Sequence, residues 1–138
     1  MSIIEKLNKS KTFTAKSTPI KNLISVTLEM LSAFGVPMDA TPRRLERMAV
    51  AFLACGDVKE LAGLLKIKDA NSEFSLKTRE IITYVNEHFE ENISSGSYDD
   101  IRRKDLKLLT TAEIILRSSP NAATNDSTRG YCVSPFYA

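Results

Sequence analysis

Apolar side chains recur at helical spacing along most of this chain, and polar punctuation separates the runs. Thr18 and Pro19 open one helix, with Thr18 as the N-cap and Pro19 in the tolerated first turn. Ile20, Leu23, Ile24, Thr27, Leu28 and Leu31 form its stripe. Gly35 stops it, and Pro37 marks the turn. Thr41 and Pro42 repeat the start signal for a helix striped by Leu45, Met48, Ala49, Phe52 and Leu53, ending at Gly56. Asp57 and Glu60 have capping-box spacing and predict a short helix through Leu65. Residues 66–74 read as a polar connector. Ser75 then caps a helix over 76–91, whose buried stripe is Ile82, Val85 and Phe89 with support from Ile81.

The C-terminal third changes character. Ile93–Ser97 is a Gly/Ser turn. Tyr98–Ala112 reads as a helix with Ser97 as N-cap and Asp99 and Asp100 in the first turn, where negative charge suits the dipole. Ile114-Ile115-Leu116 is too short for a helix, and Tyr131-Cys132-Val133 reads as a second short strand across a polar loop, Ser118–Thr128. The fold class expected is mostly α with a small β wing: a helical N-terminal layer over residues 18–66 packed on a winged-helix-like domain over 75–138. Residues 1–17 carry Lys6, Lys9, Lys11 and Lys16 against the single acid Glu5, and read as a mobile basic arm with a short helix at 2–8.

Composition narrows the function classes. In 138 residues, 43% are hydrophobic and 26% charged, enough apolar side chain to bury a core, which excludes bulk disorder. No apolar run approaches the roughly 20 residues that span a membrane. With 19 Lys+Arg against 17 Asp+Glu, any nucleic-acid site must come from a local cluster rather than from net charge. Cys55, Cys132 and the single His88 do not share metal-ligand spacing, so no metal site is expected. Cys55 reads as a small core residue, and Cys132 as facing a neighbouring strand. Two distant cysteines without a disulfide framework, behind an N-terminus too polar for a signal peptide, favour the cytoplasm. His88 follows Glu87 near a helix C-terminus, and no nucleophile accompanies it.

On a helical wheel of about 100° per residue, Ile101, Leu108, Leu109 and Ala112 fall on one side of the 98–112 helix, and Arg103, Lys104 and Lys107 on the other. Arg102 and Asp105 lie at the margins, spaced to pair with each other. A cationic face opposite an apolar stripe is ordinarily just a solvated face. Over 97–117 the five cations Arg102, Arg103, Lys104, Lys107 and Arg117 meet the four acids Asp99, Asp100, Asp105 and Glu113, a net of +1. The order helix, turn, basic-faced helix, strand, polar loop, strand points beyond that, to a winged helix whose basic helix enters a DNA major groove, where arginine can address guanine O6 and N7 together. Ser97, Tyr98, Arg102, Arg103, Lys104 and Lys107 on the helix, and Asn125 and Arg129 in the wing, are the candidate DNA-binding residues. No catalytic residue is expected in this chain. A separate short second helix is missing from the sequence pattern, since only Ile93–Ser97 separates the two helices.

The stretch SYDDIRRKDLKLLTTAEIIL resembles the N-terminal helix-turn-helix domain of BsuBI/PstI-type type II restriction endonucleases, through Tyr98, Asp99, Asp100, Ile101, Arg102, Arg103, Leu106, Ala112 and Ile114. FGVP (Phe34–Pro37), LERMAVAFLA (Leu45–Ala54) and the wing positions Asn125, Arg129 and Tyr131 extend the resemblance over about 25–135. Where the family has Arg-Glu-Thr this chain has Tyr98-Asp99-Asp100, and Glu113 replaces a glycine, an awkward residue if that position is left-handed. The resemblance implies sequence-specific recognition of double-stranded DNA. It also implies a separate nuclease domain, absent from these residues, that would use magnesium and make the full-length protein a site-specific endodeoxyribonuclease. No cofactor is expected in this chain itself. A palindromic target would favour a homodimer. Two alternatives stand beside it: a stand-alone winged-helix transcriptional regulator, or a winged-helix protein-interaction module with an exposed apolar patch on the 20–34 or 42–55 helix.

Overall fold

A computed structural model of the chain describes residues 2–72, 74–118 and 130–135. Two short helices begin it. In α1 (Ile3–Leu7) the Ser2 hydroxyl caps the first turn, accepting from the Glu5 N–H at 3.2 Å. In α2 (Lys11–Thr14) the one buried side chain is Phe13. Expected as a mobile arm, this segment is instead folded onto the core: Leu7 and Phe13 are fully buried, and Lys16 is 4% exposed. The lysine-rich composition hid two apolar anchors, each sufficient to seat one turn of helix.

Helix α3 (Thr18–Ala33) buries Leu23, Ile24, Thr27, Leu28 and Leu31, and its N-cap is Ser17 rather than Thr18. It ends as expected at Gly35, whose φ of 95° lets the Val36 N–H reach back to the Leu31 carbonyl at 3.0 Å. Helix α4 (Pro42–Cys55) starts at Thr41, whose side chain accepts from the Arg44 N–H at 3.3 Å. From Met48 to Cys55 every residue of α4 is buried. The helix is buried all round because it is the hub: α1, α2 and α3 lie against one side, and the C-terminal elements against the other.

The chain leaves α4 differently from expectation. Gly56 is the C-cap with an ordinary φ, and Asp57 takes the left-handed position at φ 55°, with the Val58 N–H on the Leu53 carbonyl at 2.9 Å. Gly56 is required by packing, since a Cβ there would sit 2.8 Å from Ile67 Cγ2. The capping box predicted from Asp57 and Glu60 does not form. The Asp57 carboxylate instead accepts from the Tyr84 hydroxyl at 2.8 Å and pairs with Lys68 at 2.7 Å. The short helix is a run of tight 3-10 turns over Leu61–Lys66.

Helix α5 (Thr78–His88) begins two residues later than the Ser75 cap predicts, with the Lys77 N–H donating to the Glu80 carboxylate at 2.8 Å. Leu76 is taken by another element: it exchanges two backbone hydrogen bonds with Tyr131, at 3.0 and 2.8 Å. Next come α6 (Tyr98–Asp100), a wide π turn over Ile101–Asp105 and α7 (Lys107–Thr111), which together form one helical segment over 98–111. Strands β1 (Ile115–Ser118) and β2 (Gly130–Val133) pair antiparallel, with Ile115 opposite Val133 and Arg117 opposite Tyr131. Leu76 lies on the free side of β2, so the wing has three chains abreast. The 66–74 connector contributes too, through a bridge from Asp69 to Val133.

The result is a mostly α structure with a small β wing. Its winged-helix core is α4, the Leu76 bridge, α5, the 98–111 segment, β1 and β2. The second helix that looked absent is α5, and the first is α4. The sequence division between 18–66 and 75–138 therefore runs through the packing, because α4 belongs to both layers. Cys55 and Cys132 are free and buried, with Cys132 opposite Leu116 on the neighbouring strand. Burial pushes the Cys55 thiol well above its ordinary range.

A buried ionic network joins the layers. The Lys16 ammonium contacts Glu46 at 2.6 Å and Glu91 at 2.8 Å, and all three side chains are at most 1% exposed. Arg43 reaches both carboxylates, at 2.9 and 2.8 Å. Ser10 donates to Glu46 at 2.8 Å, and Thr12 also donates to it. Burial alone would raise the Glu46 carboxyl, but the hydrogen bonds from Lys16, Thr12 and Arg43 outweigh it and hold the group below its ordinary value.

Two expectations follow from these ties. Glu46→Ala leaves the buried Lys16 and the partly exposed Arg43 with Glu91 as their one carboxylate, an uncompensated charge of +1, and costs about 3–5 kcal/mol in urea denaturation. Because the folded Glu46 value lies below its ordinary 4.5, its contribution is complete at neutral pH and is lost on acidification. The thermal midpoint should therefore fall from about pH 5 downward, and fall less in Glu46→Gln. A third expectation concerns Glu113, which closes the 98–111 segment at φ 60° with the Ile114 N–H on the Leu109 carbonyl at 2.9 Å. This position is left-handed. Glu113→Gly removes a strain of about 1–2 kcal/mol and adds about 0.5–1 kcal/mol of unfolded-state entropy, so the variant should be modestly more stable.

Candidate nucleic-acid interface

The 98–111 segment is held from three sides. The Asn86 side-chain amide on α5 clamps the preceding loop, donating to the Ile93 carbonyl at 2.9 Å and accepting from its N–H at 2.8 Å. Ile101, Leu106 and Leu109 are buried against the helical core. On the far side Ile114 passes the chain directly into β1, with the Ser134 N–H on its carbonyl at 2.8 Å. The segment is thus a rigid ridge with one face left to solvent.

The predicted helix residues occupy that ridge in different ways. Ser97 ends a tight turn, Ser95–Ser97, and its side chain makes no capping bond, so the expected N-cap role is not filled. Tyr98 is 39% exposed, and the Arg79 guanidinium lies 5.0 Å from its ring centroid. Arg102 bonds Asp99 at 3.1 Å, and Lys104 faces Asp100 at 3.7 Å. Arg103 and Lys107 are exposed and form no ion pair among the described residues. Asn125 and Arg129 lie outside the described residues.

The pair expected between Arg102 and Asp105 is absent. Asp105 is buried, and its partner is Arg47 of α4, with Oδ2 at 3.0 Å from Nε and 2.8 Å from a terminal nitrogen. Arg44 stands 3.7 Å from the other oxygen. Burial pushes the Asp105 carboxyl upward, while the guanidiniums of Arg47, Arg44 and Arg43 pull the other way. Arg102 was available at the right spacing, yet it turns outward to Asp99, and Asp105 is met by Arg47 of α4 with the 40% exposed Arg44 at the edge.

Two exposed cations beyond the predicted set lie on elements packed against this segment. Arg79 belongs to the first turn of α5, and Arg117 is exposed on β1. The pattern of α5 hid Arg79, since nothing in its sequence shows that α5 abuts the 98–111 segment. The apolar stripe gave no sign of Arg47 either, because its partner is fifty-eight positions away. His88, the last residue of α5, rests 4.7 Å from the Tyr84 ring and 3.7 Å from Glu87, in keeping with a helix-end placement. Among the described residues, no three His, Cys, Asp or Glu side chains are grouped to hold a metal ion. No helix of the described residues is long and apolar enough to cross a membrane.

The family model of the BsuBI/PstI restriction endonuclease HTH domain matches residues 21–137. No curated protein matches the sequence. Among solved structures, the fold is similar to that of the SdaI restriction endonuclease, with a TM-score of 0.66 at 19% identity, over 83% of this chain and 34% of that one. The chain thus spans about a third of the length of the enzyme it resembles. At that identity the likeness concerns the fold alone.

Proposed function

Because this chain belongs to the BsuBI/PstI restriction endonuclease HTH domain family, we propose that it recognises a specific sequence in double-stranded DNA through the solvent face of its 98–111 segment. The observation that carries this reading is the state of the cations there. Arg102 and Lys104 are neutralised by acids one turn earlier, whereas Arg103 and Lys107 are exposed without an ion pair among the described residues. Unpaired cations on a rigid helical ridge suit a phosphate backbone or a guanine edge. Arg103 and Lys107 take base or phosphate contacts, and Lys104 and Ser97 contact phosphate. Tyr98 and Arg102 flank them, and Asn125 and Arg129 anchor the wing. Arg79 and Arg117 widen the basic border on either side.

In this reading the chain is the N-terminal DNA-binding part of a cytoplasmic type II endonuclease, and two copies meet on a palindromic site. Cleavage would belong to a separate domain using magnesium. The described residues hold no group of acids fit for that ion, so no chemical step is assigned to them. A stand-alone regulator would use the same face. An interaction module has exposed apolar side chains in its favour, among them Leu65 at 91% and Leu61 at 46%. Of the two helices where an apolar patch was expected, α4 is buried from Met48 to Cys55, whereas the 20–34 stretch exposes Val26 at 43% and Phe34 at 41%.

Fluorescence anisotropy with a random-sequence duplex at two salt concentrations tests the reading. Binding should weaken steeply with salt. Lys107→Ala should reduce the salt slope by about 1, and Arg103→Ala should cost about 1–3 kcal/mol and relax sequence preference. No binding at low salt would overturn the DNA reading in favour of the interaction module.

A further inference from the structure

One turn of the 98–111 segment holds one residue more than an α-helix allows. The Leu106 N–H bonds the Ile101 carbonyl at 2.9 Å, five residues back, while the Thr110 N–H returns to the usual partner four residues back, Leu106, at 2.8 Å. Everything after the wide turn is therefore set back by one residue, about 100° of helical rotation. Burial follows the shift. The unbroken α register buries Leu108, Leu109 and Ala112 and leaves Leu106 outside. Instead Leu106 and Leu109 are fully buried, Leu108 is half-buried and Ala112 is exposed.

The shift also rearranges the cations. In an unbroken helix Lys107 would stand about 60° from Lys104 and about 140° from Arg102. With the added residue spread over the wide turn Ile101–Asp105, Lys107 moves to about 100° from Lys104 and about 60° from Arg102. Arg103 and Lys107 then share one line with Arg102, still paired to Asp99, drawn in beside them, and Lys104 stands on the other flank, toward phosphate.

Apolar burial does not choose between the registers, since each seats leucines in the core. The feature that distinguishes the wide turn is its last residue. The Asp105 side chain is fully buried and bound to Arg47 of α4, with Arg44 beside it. π turns are rare and concentrate where function requires a local re-registering of a helix. We propose that Asp105 is a positioning residue: its bond to Arg47 holds the 98–111 segment in the register that aligns Arg102, Arg103 and Lys107 as a single DNA-facing stripe. The inference rests on the DNA reading for the purpose of the stripe, but not for the existence of the lock.

The test uses two variants of the full chain. Asp105→Asn keeps the shape and removes the charge. Asp105→Ala with Arg47→Met removes the ionic pair without adding a large apolar side chain that would favour either register, so no charge is stranded if the single variant fails to fold. The first readout is NMR: side-chain contacts of Leu106 and Ala112, and the exchange rate of the Leu106 amide. The expected result in a folded variant is loss of Leu106 from the core and entry of Ala112. A variant that keeps the Leu106-to-Ile101 bond overturns the lock, whatever the DNA result. The second readout is discrimination between duplexes enriched by the wild-type chain from a randomised library and the unselected library. It should fall tenfold or more, with the salt slope unchanged, because the same number of cations still meets phosphate. A purely structural role would weaken both duplexes in equal proportion to the unfolded fraction, and that outcome overturns the positioning role. If the wild-type chain enriches no duplex at low salt, the DNA reading fails and the stripe's purpose with it, while the NMR readout still decides whether Asp105 sets the register.

Discussion

A network of four charges, three of them buried and Arg43 partly exposed, ties the layers of this molecule together. Lys16, Arg43, Glu46 and Glu91 come from the end of the N-terminal segment, from α4 and from the loop after α5, and they balance to zero. Each would be costly to bury alone; together they satisfy one another with short hydrogen bonds. The consequence is geometric. The network fixes α4 relative to both neighbours, and α4 is the surface on which every other element is arranged. Leu7 and Phe13 seat on one side of it, while Ile81, Val85, Ile101 and Leu109 complete the core on the other. Apolar burial supplies the bulk of the stabilisation, but it is non-directional. The ionic contacts give the packing a single alignment.

Three helices end in a left-handed residue that is not glycine. Asp57, Glu90 and Glu113 all have φ between 55° and 60°, whereas only Gly35 follows the preferred chemistry. Two of these acids are also used by their side chains. Asp57 holds Tyr84 and Lys68, and Glu90 binds the Ser17 hydroxyl and N–H at 2.7 and 2.8 Å. A glycine would relieve the backbone at the cost of those contacts. Glu113 has no such bond among the described residues, and it stands where the family resemblance places a glycine.

The charge arrangement of the 98–111 segment is economical. Its acids occupy the first turn, where the helix dipole favours them, and each takes up a cation from the next turn. Its buried acid faces the arginines of α4. What reaches solvent without a partner is a narrow cationic set, not the whole basic composition. This explains how a chain with a formal net charge of only +2 can present a basic ridge.

The sequence by itself determined the local elements. Thr41-Pro42 and Gly35 placed helix ends, stripe periodicity placed α3, α4 and α5, and the two short apolar runs placed β1 and β2, because capping, φ preference and amphipathic period act over a few residues. The tertiary structure decided everything that depended on distant partners. Residues 2–17 fold because Leu7, Phe13 and Lys16 find sites on other elements. Leu76 leaves the start of α5 because Tyr131 offers two hydrogen bonds from across the wing. Asp105 and Leu106 sit where they do because Arg47, on another helix, draws the carboxylate inward and widens a turn that periodicity alone would have drawn as regular. Ion pairs and strand bridges of that kind join residues dozens of positions apart, and no local pattern encodes which of the available charges will meet.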